Sequence, residues 1–194
     1  LIDAFREWFK GKSTPGNVSY SVSPSLSASQ SNSLVEGTKV GGFTSVFVNR
    51  VDPLTGEYVG FKPVELFKHN LLTNNGRDLF AQQCYTNTVS GTFGSIFIAL
   101  AENSGAPVAT DTVVSGELSG SMTRTSGDTI THTNGTNTSV IQKTFTSTGT
   151  FSGIQKSGLF NNATGATLTH QNTFTATALS SGDQLQVQWT LTLG

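Results

Sequence analysis

Between residues 184 and 193 the chain alternates without a break. Leu185, Val187, Trp189, Leu191 and Leu193 fall on one side, and Gln184, Gln186, Gln188, Thr190 and Thr192 on the other. A period of two with one apolar side predicts a half-buried strand. The same rhythm runs through Phe43–Arg50, and Asp52-Pro53-Leu54-Thr55-Gly56 supplies turn chemistry before Tyr58-Val59-Gly60-Phe61, which predicts a hairpin over residues 43–61. Ser95–Leu100 is an apolar run that fits a strand covered on both faces. Segments 117–125, 128–133, 139–151 and 167–178 have strand composition, at the spacing of a sandwich or barrel. One short helix is predicted near 76–84, with Asn74 or Asn75 as its cap and Asn75-Gly76 as a left-handed turn before it.

The N-terminal part follows other rules. Residues 1–12 place Leu1, Ile2, Phe5, Trp8 and Phe9 at helical spacing, with Asp3, Arg6, Glu7 and Lys10 between them. A helix of about three turns does not hold itself in water, so its Trp/Phe face must dock, and protein is the expected surface. Residues 19–33 then read SYSVSPSLSASQSNS, with serine at every odd position. In an extended backbone all the serines share one side and Tyr20, Val22 and Leu26 the other. Pro24 excludes a central strand. An arm lying along a neighbour's sheet edge is the favoured reading of residues 13–42, and a flexible Ser-rich linker is the competing one. Leu1, Phe5, Trp8, Phe9, Tyr20, Val22 and Leu26 are thus the expected assembly contacts.

Composition supports this picture. Charged residues are only 12% of the 194, net charge is −1, and Ser with Thr make up roughly a quarter of the chain, which suits sheets with hydroxylated outer faces. Such a balance gives no electrostatic case for nucleic acid or an anionic membrane as a partner. No run of 18 apolar residues occurs. The single cysteine, Cys84, excludes an internal disulfide framework and reads as a buried thiol.

Candidate chemistry is thin. His69, His132 and His170 lack any metal-binding spacing and read as surface or hydrogen-bonded residues, His170 on the inward side of its strand. Glu102, Asp111 and Glu117 could form a carboxylate pair or a calcium site, but the calcium-loop pattern is missing and solvated loop acids are the plainer reading. Gly116-Glu117-Leu118-Ser119-Gly120 lacks the spacing of a nucleophile elbow, and Gly91–Gly94 lacks the lysine of a phosphate loop. No cofactor, no metal and no enzymatic activity are expected.

One resemblance can be named. Thr73-Asn74-Asn75-Gly76-Arg77 beside a helix, Ile96-Phe97-Ile98-Ala99-Leu100, Gly158-Leu159-Phe160 and the closing Gly182-Asp183-Gln184-Leu185 before Val187-Gln188-Trp189 resemble small β-rich structural proteins of tailed phages and archaeal viruses. The likeness spans residues 70–194 and implies a virion component without catalytic residues. The expectations are therefore a mainly β protein, an antiparallel sandwich with a jelly-roll as the particular candidate. Residues 1–12 form a docking helix, 13–42 an arm and 43–194 the domain. Its expected partners are copies of itself and other virion proteins. An extracellular filament or adhesive subunit built by strand donation is the alternative. A carbohydrate-binding module ranks third, because Trp189 reads as buried.

Overall fold

The computed structural model describes residues 40–85 and 94–193. The expected N-terminal helix and the arm as far as residue 39, with all seven expected assembly contacts, lie outside the described residues. The side chain of Cys84 is likewise not described.

The protein is mainly β and sandwich-like. Its elements are β1 (Val40–Asn49), β2 (Lys62–His69), β3 (Leu71–Leu72), α1 (Asn74–Tyr85), β4 (Phe97–Ala101), a 3-10 turn (Gly120–Met122), β5 (Thr125–Ser126), β6 (Thr129–His132), β7 (Thr138–Thr146), β8 (Phe151–Phe160), β9 (Leu168–Leu179) and β10 (Gln184–Leu193). Two five-stranded sheets run in the orders β2-β1-β10-β7-β6 and β3-β9-β8-β4-β5. Every pairing among the described residues is antiparallel.

The alternation of β10 does what the sequence predicts. Leu185, Val187 and Trp189 are fully buried and meet Val46, Ile141 and Phe145 of their own sheet. Across the sandwich they face Ile98, Leu100, Ile154, Leu159, Phe174 and Leu179. β4 is covered on both faces, as its unbroken apolar run requires. Ile98 and Leu100 belong to the main core, while Ala99 and Ala101 join Val114, Phe160 and Leu168 in a second cluster. Gly158 makes that second cluster possible. A Cβ there would fall 3.0 Å from Leu168 Cδ1 and nearer still to Val114, so the glycine admits a close approach.

Several predicted elements need correction. β1 begins at Val40, three residues before the alternation starts, because Gly42 leaves room for the Thr190 carbonyl and the Asn70 amide beside it. The hairpin's return strand is β2, not Tyr58–Phe61, and Val51 and Tyr58 form only an isolated bridge. β2 hides in sequence because it is an edge strand carrying Lys62, Pro63, Glu65 and Lys68, with register shifts against β1 and Phe67 at φ 50°. Segment 117–125 is mostly turn rather than strand, its ends tied by the Glu117–Arg124 ion pair. The helix spans 74–85, and its cap is Thr73 rather than an asparagine. Thr73 Oγ1 accepts from Gly76 N at 3.0 Å and donates to Leu168 O at 2.6 Å, so the hydroxyl caps α1 and pins it to β9.

Gly76 is not a left-handed turn either. It sits inside α1, and a Cβ there would lie 2.8 Å from Thr169 Cα and closer to its carbonyl oxygen. Gly76→Ala is therefore expected to cost about 1–2 kcal/mol of unfolding free energy. Overpacking against rigid backbone outweighs alanine's better helix propensity of about 1 kcal/mol. Urea unfolding measures it, and a variant as stable as the parent would show that α1 is not seated on β9.

Candidate assembly site

Glu102, Asp111 and Glu117, the acids the sequence offers as a carboxylate pair or calcium site, hold backbone amides and side chains of the fold instead. Glu102 Oε1 accepts from Ser152 N at 2.7 Å and Gly153 N at 3.0 Å. The Gly153 bond, with those from Ser152, outweighs partial burial and holds the Glu102 carboxyl below its ordinary range. Asp111 accepts from Val108 N and Gln171 Nε2. Glu117 takes both arms of the Arg124 guanidinium, which also lies 3.5 Å over the Phe160 ring. Burial alone would raise Asp128 and Asp183. Lys143 and Thr144 N lower the first, and Ser180 N, Val51 N and Arg50 lower the second, leaving both below the ordinary carboxylate range. Glu102, Asp111 and Glu117 thus stand on three separate errands. Among the described residues no three His, Cys, Asp or Glu side chains gather as a metal site. No described helix is long and apolar enough to cross a membrane.

Sheet edges remain, and they differ. β2 is guarded: it carries lysines and a proline, its bulges break the ladder, and Asn172 Nδ2 already donates to Lys68 O. Next to it, Glu65 closes the neighbouring run of β9 by accepting from Thr175 N at 3.3 Å. At the other end of the first sheet stands β6, Thr129-Ile130-Thr131-His132, exposed along its whole length and without charged side chain, proline or bulge. Just beyond it, Asp128 Oδ2 accepts from Thr144 N at 2.9 Å, so β7 is sealed where β6 ends. This unguarded edge is four residues long.

That edge runs to a cavity of about 320 Å³ at one end of the sandwich. Leu72 of β3, Gly76, Leu79 and Phe80 of α1, and Leu191 and Leu193 of β10 form its apolar walls, with His132 of β6 at its margin. His132 Nδ1 lies 3.0 Å from Thr138 O and 3.3 Å from Ser139 Oγ. His170 of β9 also lines it, only 5% exposed, with its ring centroid 6.2 Å from that of Trp189. Burial pulls the His170 imidazole down to about 4, so it is neutral near pH 7. Its Nδ1 reaches Thr169 Oγ1 at 3.1 Å, whereas Nε2, the far atom of the ring, is buried and has no hydrogen-bond partner.

The inward reading of His170 is correct. What sequence reasoning missed is that His132 and His170 share one cavity. They lie on different sheets, and no spacing in the sequence connects them. His69 stands apart, its ring 4.4 Å from that of Phe43. No family model, no curated protein and no solved structure matches the chain.

Proposed function

We propose that this chain is a non-enzymatic structural subunit of a virion, assembling through its N-terminal arm and an open sheet edge. The observation that carries the assembly role is β6, an uncharged and unprotected edge in a sheet whose opposite edge, β2, is guarded by lysines, proline and register shifts. An exposed edge of that kind is a template for an added strand. The alternating segment 19–33 has the matching character, with small hydroxyls on one side and Tyr20, Val22 and Leu26 on the other. Four residues of ladder offer few main-chain bonds, so side-chain anchors must carry much of the affinity.

The placement in a virion rests on the resemblance over residues 70–194. Support for the jelly-roll form comes from β1 and β3, which pair with β10 and β9, so early strands meet the last strands in both sheets. The site of action in the particle is tail, tail tip or capsid surface.

Deleting residues 1–37 leaves the compact unit Thr38–Gly194 whole. That deletion is expected to abolish self-association in sedimentation velocity while the thermal transition stays in place. Thr131→Lys, which puts a charge on the open edge, is expected to weaken association about tenfold or more. A truncated chain that assembles like the full one would refute the arm. Electron microscopy of native particles carrying the protein separates the virion from the filament.

A further inference from the structure

The cavity beside β6 wants a particular visitor. Thr169 has one hydroxyl proton, and Oγ1 gives it to Leu159 O at 2.9 Å. The oxygen is therefore an acceptor toward His170, which places the imidazole proton on Nδ1. Nε2 is then a bare lone pair, buried, on a residue that lines a cavity with Leu72, Leu79, Phe80, Leu191 and Leu193 on its apolar side and serine, threonine, asparagine and histidine side chains on the rest. Whatever fills the space against the leucines and Phe80 should have a largely apolar body, should bring one N–H or O–H donor, and should be small, since about 320 Å³ is near the lower bound for ligand pockets. Among side chains, indole and phenol meet all three conditions.

The chain itself holds few of these. Trp189 already donates Nε1–H to Ser157 Oγ, and Tyr58 its hydroxyl to Gly182 O. Tyr85 is the last residue of α1, and its side chain lies outside the described residues. Trp8, Tyr20 and Tyr85 remain. Trp8 brings more, because the sequence spaces Phe5 and Phe9 to accompany it on one face if residues 1–12 are helical, and together they would cover the cavity mouth. The start of the domain agrees: β1 begins at Val40, in register with Leu193, itself a cavity residue.

We propose that this cavity is the socket for Trp8 of a second copy of the chain, with the indole Nε1–H donated to His170 Nε2. The inference rests on the assembly reading above and deepens it, by naming the anchor that supplements the short ladder on β6. The donor is as important as the ring: phenylalanine fills the space but leaves the imidazole unpaired.

The test uses the full chain labelled with nitrogen-15, which has two indole N–H signals, from Trp8 and Trp189. Sedimentation gives the dissociation constant under the same conditions. The Trp8 signal is expected to move downfield and become protected from exchange as copies associate, and His170→Phe to remove that shift. Trp8→Phe is expected to weaken association about tenfold and Trp8→Ala by more. Trp8 lies outside the domain, so both variants keep the experiment decisive if His170→Phe fails to fold. Association with an unshifted Trp8 indole, or a loss that follows Tyr20→Phe instead, overturns the socket and leaves the assembly reading standing. A shifted signal at concentrations where the chain sediments as a monomer overturns the second copy as its source. A chain that never associates removes the assembly reading and the socket together.

Discussion

Trp189→Ala is expected to remove about 3–5 kcal/mol of unfolding free energy, the range for truncating a large buried aromatic. Trp189 is fully buried at the centre of the main cluster, in register with Thr44 of β1 on one side and Ile141 of β7 on the other. Its ring spans the gap between the sheets, because Nε1–H reaches Ser157 Oγ of β8 at 3.3 Å. Truncation thus leaves a cavity and an unpaired hydroxyl together. A domain of this size has about 5–15 kcal/mol in all, so the variant should sit near the threshold of folding. Trp189→Phe keeps most of the volume and should lose less, about 1–2 kcal/mol, chiefly at Ser157. Urea unfolding followed by far-ultraviolet circular dichroism gives both values. A difference under 1 kcal/mol for the alanine variant would mean that the two sheets do not close over this residue.

Acid should weaken the protein earlier than its carboxylates alone would. His170 titrates near 4 in the folded state, against 6.5 when exposed. Between those values the unfolded chain takes up the proton and the folded chain resists it, so the unfolded state is favoured as pH falls. The stability is fully present above pH 6.5 and is lost as pH drops from there toward 4. At 1.36 kcal/mol per pH unit, the loss is about 3 kcal/mol. Glu102, Asp128 and Asp183 act in the same direction but lower down. Their folded values are depressed, so their contribution is present above their unfolded values of 4.5 and 3.8 and disappears below them. Urea midpoints between pH 7.5 and 4.5 isolate the histidine. His170→Phe should be nearly flat across that window, and a parent protein that is equally flat would show that the imidazole is not shielded as the fold implies.

The legible parts of the sequence were those where local pattern and burial agree. β10 could be read residue by residue because one face meets the core and the other does not. The doubly covered β4 was also legible, since nothing polar interrupts it. β8 was legible only near its end, where Gly158 before Leu159-Phe160 reads as a close approach or a bulge, because Gly153 and Lys156 break the apolar pattern of Phe151–Phe160. β2 was obscured by the charges and proline that suit an edge. Turn chemistry around Asn74 and Asn75 pointed to the right helix and the wrong cap, because the hydroxyl of Thr73 was already in position. For the candidate site, sequence gave the inward direction of His170 but not its company. A pocket assembled from both sheets and a helix has no period, and an unpaired nitrogen leaves no mark in a sequence.

The pairing of Val40 with Leu193 has a bearing on symmetry. If Trp8 docks in another copy as proposed, the chain enters β1 beside the place where it receives its neighbour's segment. Giver and receiver are then neighbours on one surface, and two molecules facing each other can exchange segments about a dyad. Such a swap closes on itself and stops at two. Larger order would have to be built from these couples by other surfaces, among which the bulky Leu66 and Phe67 on the far rim of the same sheet stand out to water at 48% and 66%.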